Sequence, residues 1–115
     1  MAAPAQGTDQ FRGNKVRVVT FTQSGANNGD IVVEPGRSLA SMSFQVAGTY
    51  VAGTIKMQCS NDGTNYADTP TAASLSGTGV KSIAVADLGY RYYQLDFASM
   101  NAGNTLTGAI VMKFY

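Results

Sequence analysis

Carboxylates are the main side chains in this sequence that offer acid–base or metal chemistry. The chain has 115 residues, of which seven are Asp or Glu and none is His. A glycosidase needs two carboxylates flanking the scissile bond, and nothing in the spacing of these acids brings two of them together. They are Asp9, Asp30, Glu34, Asp62, Asp68, Asp87 and Asp96. We therefore predict no catalytic residue and expect that the chain is not an enzyme.

Metal sites are equally poorly supported. The acids and amides between Asn61 and Asp68 could form a calcium loop, but calcium takes six to eight oxygen ligands, usually with several carboxylates. Asn-Asp-Gly is more often simply a tight turn, because these residues tolerate positive φ. One cysteine and no histidine cannot supply four zinc ligands. We expect no metal and no cofactor.

The single cysteine, Cys59, falls on the apolar face of a strand. The run Gly53–Cys59 alternates, with Ile55, Met57 and Cys59 on one side. A buried free thiol acting as a small hydrophobe is the favoured interpretation. A nucleophilic thiol would need a neighbouring base.

Alternating apolar residues and turn signals recur along most of the chain and predict short strands. No segment has a helical period, and residues 66–79 look irregular. About seven or eight strands at this spacing are typical of an antiparallel β-sandwich. The predicted strands are 15–22, 30–34, 39–46, 53–60, 80–86, 90–98 and 105–115. The predicted core contains Phe44, Ile55, Met57, Leu95, Phe97 and Ile110.

Residues 1–14 are small, polar and aperiodic, and we interpret them as an extended N-terminal arm before a sandwich domain of residues 15–115. A frayed terminus is the alternative. The arm contains Phe11 and Arg12, which could anchor on a partner. It has neither the basic start nor the apolar core of a signal peptide. No segment reaches the ~18 apolar residues of a membrane span.

The chain is sparsely charged, with 13% charged residues and net charge +1. This balance offers few phosphate contacts, so we expect neither nucleic acid nor membrane as a partner. Two strands, at 16–21 and 109–112, are apolar on both faces, although a sandwich buries one face of each sheet. A protein interface or a β-bulge explains that pattern, and we favour a homo-oligomer. The interface candidates are Phe11, Arg12, Val19, Phe21, Val111 and Tyr115.

Two motifs carry a resemblance to known proteins. Ser60–Tyr66 reads Ser-Asn-Asp-Gly-Thr-Asn-Tyr, and Arg91–Leu95 reads Arg-Tyr-Tyr-Gln-Leu. In this order they resemble the hairpin and strand of compact jelly-roll β-sandwiches in tailed-phage virion proteins, distantly similar to discoidin-type domains. The resemblance covers roughly residues 39–115. The chain departs from the discoidin pattern, because it has no Trp and its loops carry small residues.

The resemblance implies a structural virion protein, most like a capsid decoration (cement) protein. Such a protein bridges major capsid subunits and stabilises the mature phage head. The expected partners are the major capsid protein or another virion protein, with a homotrimer as the first guess. The chain would be made in the host cytoplasm and located on the capsid surface. The alternative is a carbohydrate-binding or tail or head-fibre adhesion module.

Overall fold

A computed structural model of the chain describes residues 4–115, which form ten β-strands and one short 3-10 helix. The strands are β1 (Ala5–Phe11), β2 (Val16–Ser24), β3 (Gly29–Val33), β4 (Leu39–Thr49), β5 (Thr54–Ser60), β6 (Ala67–Asp68), β7 (Ser74–Leu75), β8 (Gly79–Ser82), β9 (Tyr92–Ala98) and β10 (Thr105–Phe114). The helix spans Val85–Asp87.

The strands form two antiparallel sheets that pack face to face. The first sheet has the order β1-β2-β10-β4-β8. The second has the order β3-β9-β5-β6, with β7 also paired to β5. The predicted all-β, jelly-roll-like antiparallel sandwich is therefore confirmed. The chain alternates between the sheets from β2 to β5 and again from β8 to β10, so residues distant in sequence meet at each end of the sandwich.

The core lies between the two sheets and is made by every second residue of each strand. The six predicted core residues are all buried, with 1% or less of each exposed. Phe21 of the first sheet meets Phe97 of the second edge to face, with ring centroids 5.4 Å apart. That aromatic pair joins the two layers at their centre.

A glycine in the middle of β10 makes room for this pair. A Cβ built on Gly108 would lie 2.5 Å from Cζ of Phe21 and would overlap the carbonyl oxygen of Gln45. The ring of Phe21 thus occupies the space that any side chain at position 108 would fill. Interiors are packed densely enough that such an overlap cannot be absorbed without moving a strand.

Much of the N-terminal segment belongs to a sheet. Residues 5–11 are β1, the edge strand of the first sheet, and all seven are exposed. The register of β1 on β2 shifts between Gln6 and Asp9. In this bulge the amide of Thr8 donates to Oγ1 of Thr20 at 2.7 Å. Residues 1–3 lie outside the described range, and a division into arm and domain at residue 14 stays a prediction.

The carboxylate of Asp62 accepts hydrogen bonds from within the Ser60–Tyr66 turn. Gly63 has φ +75°, the left-handed conformation that favours glycine. Oδ1 of Asp62 accepts from the backbone amides of Asn65 and Thr64, each at 2.8 Å, and Oδ2 accepts from the Asn65 side chain. These bonds hold the pKa of Asp62 well below its usual range. Both oxygens serve the turn, which favours the turn interpretation over a calcium loop.

Three details differ from the sequence prediction. The irregular stretch 66–79 contains the two short strands β6 and β7, and the strand predicted over 80–86 ends at Ser82. Leu39 lies on the side of the predicted strand 39–46 opposite to Phe44, and simple alternation therefore places it outward, but it is buried. The register between β4 and β10 shifts beside it, which turns its side chain inward.

Replacing Gly108 tests the central packing. We expect Gly108→Ala to lower the free energy of unfolding by about 1–3 kcal/mol, because the added methyl group overpacks the core. Urea denaturation measures the change. Gly89→Ala is the matched control, since a Cβ at Gly89 meets nothing within 4 Å. Equal midpoints for the two variants would contradict the packing described for Phe21.

Candidate interaction surface

A groove of about 740 Å³ lies at one end of the sandwich, between two loops that are distant in sequence. One wall is the β3–β4 connection, residues 34–39, and the other is formed by Val85 and residues 88–91, with Tyr115 also lining the groove. Gly36 turns the first wall with φ +75°. The second is fixed by Tyr93, whose hydroxyl donates to the carbonyl of Asp87 at 2.6 Å.

Large apolar side chains are exposed around this groove. Val85 and Tyr115 are 77% and 80% exposed, and Phe11 at the end of β1 is 50% exposed. Phe11 packs beside Phe114, with ring centroids 5.9 Å apart. Single exposed apolar residues are common, but several around one concavity mark an interaction site. We call this region the groove end.

The arginines of the groove end have different partners. Arg91 pairs with Glu34, Nε to Oε2 at 3.1 Å. Arg17 donates two hydrogen bonds to Asp9, from Nε to Oδ1 and from Nη2 to Oδ2, each 2.7 Å long. These bonds hold the pKa of the Asp9 carboxyl below its usual range. Arg37 lies over two rings, 4.6 Å from the Phe114 centroid and 5.2 Å from that of Phe11.

The outward-facing side chains of the first sheet form a second surface, which we call the outer face. It is made by alternate residues of β2, β10, β4 and β8. They are Val16, Val18, Thr20, Thr22, Ser41, Ser43, Gln45, Ala47, Val80, Ser82, Thr107, Ala109, Val111 and Lys113. Lys113 is the one charged member of this set.

The outward side of the second sheet is, by contrast, charged. Asp30, Asp96 and Lys56 lie in one row across β3, β9 and β5. Burial raises the pKa of Asp30 to about 6, helped by the hydrogen bond and the charge of Asp96. Lys56 is engaged with Asp68, Nζ to Oδ1 at 3.1 Å.

The six interface candidates fall into four places. Phe11, Arg12 and Tyr115 are exposed, with Phe11 and Tyr115 at the groove end and Arg12 in the β1–β2 turn. Val111 is half-buried on the outer face.

Val19 and Phe21 are buried in the core, with 0% and 1% exposed, so this fold leaves them inaccessible to a partner. The sequence pattern did not show which face of β2 is buried, because apolar residues occur on both of its faces, and the prediction of Val19 and Phe21 as interface residues chose the buried one. Whether the other four contact a partner stays a prediction.

Two groove-end residues were missed by the sequence analysis. Arg37 follows the Pro35-Gly36 turn, which signals a loop but not what the loop faces. Val85 was assigned to a strand, and its exposure follows from the 3-10 turn that begins there.

The remaining chemical groups have structural surroundings. Cys59 is a buried free cysteine, as expected, and burial raises the pKa of its thiol, with the charges of Asp87 and Asp68 adding to the effect. Among residues 4–115, no three His, Cys, Asp or Glu side chains are grouped as metal ligands would be. Within that same range there is no helix with the length and apolarity needed to cross a membrane.

No protein-family model and no curated protein matches the chain significantly, but solved structures do. The SPBc2 prophage-derived protein YomS is 11% identical, with 90% of this chain and all of that chain covered and a TM-score of 0.63. A cupin superfamily protein of Desulfitobacterium hafniense DCB-2 is 6% identical, with 97% and 78% covered and a TM-score of 0.50. The cupin domain of Schizosaccharomyces pombe Cnp3 is 11% identical, with 97% and 61% covered and a TM-score of 0.50.

At these identities the likeness shows the fold, a β-sandwich of cupin or jelly-roll type. It does not transfer an activity. The expectation that the chain is not an enzyme therefore stays a prediction.

The carboxylate pair on the second sheet gives stability a pH dependence. The pKa of Asp30 in the folded chain, about 6, lies above the ordinary value of 3.8. The folded state therefore binds this proton more tightly than the unfolded state, and stability falls as pH rises through this window. We expect Asp30→Asn to raise the melting temperature at pH 8 and to have little effect near pH 4.

Asp68→Asn is the control with the opposite sign. Hydrogen bonds from Gln58 and Lys56 hold the pKa of Asp68 below its usual value of 3.8. Both pH 4 and pH 8 lie above that lowered pKa, so removing the carboxylate should lower the melting temperature at both values. Melts of the two variants and the parent chain at pH 4 and 8 measure both effects. A melting temperature of Asp30→Asn that follows the parent at both values would contradict the pairing of Asp30 with Asp96.

Proposed function

We propose that this chain is a structural protein of a phage particle, a capsid decoration protein that binds the assembled head through its groove end. The observation that carries the proposal is a groove lined by the exposed apolar side chains of Val85 and Tyr115, with exposed Phe11 beside it under the groove-lining Arg37. The fold shared with a prophage-derived protein supports a phage origin.

The mechanism is stabilisation by mass action. A protein that binds the assembled lattice and not its separated subunits lowers the free energy of the assembled state by RT ln(1 + [L]/Kd). A decoration protein needs only a fitted surface for this, with no chemical step. The partner is the major capsid protein, with the decoration protein added as a homo-oligomer on the capsid surface.

The chemistry of the groove end fits a protein partner. Val85 and Tyr115 offer apolar area, and Tyr and Arg are enriched at protein interfaces. Arg37 rests on two aromatic rings and keeps its charge near the surface. A partner segment with an apolar side chain and a carboxylate would complement this surface.

A carbohydrate-binding or fibre adhesion module is the second candidate. It is favoured by Tyr90 and Tyr115 in the groove lining, beside the polar groups of Glu34 and Arg91. Tyr rings present an apolar body and a polar edge, which suits a sugar. Binding on a glycan array that is lost in Tyr115→Ala would favour this function over decoration.

Particle binding tests the first candidate. We expect Val85→Asp to reduce occupancy on assembled capsids at least tenfold, because it places a charge in the apolar part of the interface. Val51→Asp is the matched control, an exposed valine in the β4–β5 loop at the opposite end of the sandwich. Occupancy is measured by co-sedimentation with capsids assembled from the major capsid protein. Equal occupancy of both variants, or no binding by the parent chain, would count against the proposal.

Deleting residues 1–12 tests the contribution of the arm. All seven residues of β1 are exposed, so we expect the sandwich to stay folded with a modestly lower melting temperature. Capsid occupancy should fall because Phe11 and Arg12 are removed. A thermal melt and the sedimentation assay are run on the same preparation. A collapsed melt would show that β1 is integral to the sheet, and unchanged occupancy would exclude the arm from the interface.

A further inference from the structure

We propose that the outer face of the first sheet is a dimer interface, packed against the same face of a second copy of this chain about a twofold axis. This goes beyond decoration and does not depend on it. The groove end stays free in such a pair, because it opens at one end of the sandwich and not on the sheet.

The central rows of the outer face are uncharged. One row across the sheet runs Gln10, Val18, Val111, Ser43, Ser82, and the next runs Thr20, Ala109, Gln45, Val80. Most of these side chains are short, so another sheet can approach closely. Two sheets pack about 10 Å apart with their strands roughly aligned.

The position of Lys113 suits a twofold axis through the middle of the face. A twofold interface places the same patch of both copies in contact. With the axis near Ala109, Lys113 of one copy faces the row of Thr105, Ser24 and Thr49 on the other. The two lysines then lie at opposite rims, and no like charges meet.

The size of the face matches what a stable pair needs. β10 has ten residues, which at ~3.4 Å each is about 34 Å long. The other strands of this sheet have seven residues in β1, nine in β2, eleven in β4 and four in β8. At ~3.4 Å by ~4.8 Å for each residue, the five strands cover about 670 Å², which approaches the ~800 Å² that each partner contributes to a standard interface.

Charge favours a second copy over a foreign partner. A charged partner would find no complementary group on the central rows and would lose hydration on binding. A β-sheet face of the same dimensions with uncharged central rows is the fitting occupant, and a second copy of the chain provides one.

Sedimentation equilibrium of the purified full chain tests the proposal. The chain has a mass of 12.0 kDa, so the parent should sediment as a dimer of twice that mass at micromolar concentration. Val111→Lys, beside the proposed axis, should weaken dimerisation at least tenfold. Val32→Lys is the matched control, because Val32 is an exposed valine facing outward on the second sheet, and it should leave the dimer intact.

Melting temperatures show whether each variant is folded. If Val111→Lys fails to fold, Gln45→Lys makes the same test at an exposed position of the face. A monomeric parent chain at 100 µM, a trimer, or a dimer broken by Val32→Lys and not by the outer-face variants would each overturn the proposal.

Discussion

The packing of Phe21 over Gly108 and against Phe97 is the constraint on which the sandwich depends. The ring fills the space above a glycine of β10 and reaches an aromatic ring of the opposite sheet 5.4 Å away. Since β10 is flanked by β2 and β4 at the centre of the first sheet, its inward side determines how closely the second sheet can approach. The large residues of β2 and β10 are used inward, and small or β-branched ones remain outward. The outer face, uncharged except for Lys113, is thus the other side of the same alternation.

The loops at the two ends of the sandwich are packed differently. At the end opposite the groove, buried Asn104 accepts from the amide of Val51 at 2.7 Å and donates to the carbonyl of Ala52 at 2.8 Å. This amide ties the β4–β5 and β9–β10 loops together, and a buried polar group fully bonded in this way stiffens its surroundings. At the groove end the loops stand apart around a cavity. The closed end and the open end make the two ends of the molecule unlike each other.

The sequence predicted what depends on local alternation and turn chemistry. The six core residues and the conformation of Gly63 follow from period-2 patterns and from the Asn-Asp-Gly turn, and the structure confirms them. Alternation could not show which face of β2 points into the core, because Val18 and Val19 are equally apolar. Packing against the opposite sheet decides which of the two is buried. β1 was missed as a strand because its residues are polar and it is held by backbone pairing. The groove could not be predicted from the sequence, because its walls are about 50 residues apart in the chain. The spacing of residues along a sequence carries no information on contacts between such distant segments.

The bulge in β1 has a consequence for aggregation. An edge strand exposes unpaired amides and carbonyls that can recruit further strands without limit. In β1 the regular ladder is interrupted at Gly7 and Thr8, and a side chain at position 7 is excluded because its Cβ would lie 2.5 Å from Oγ1 of Thr20. The opposite edge, β8, has only four residues. Open edges at high local concentration lead to fibres. Blunting both edges steers association into closed complexes of defined size.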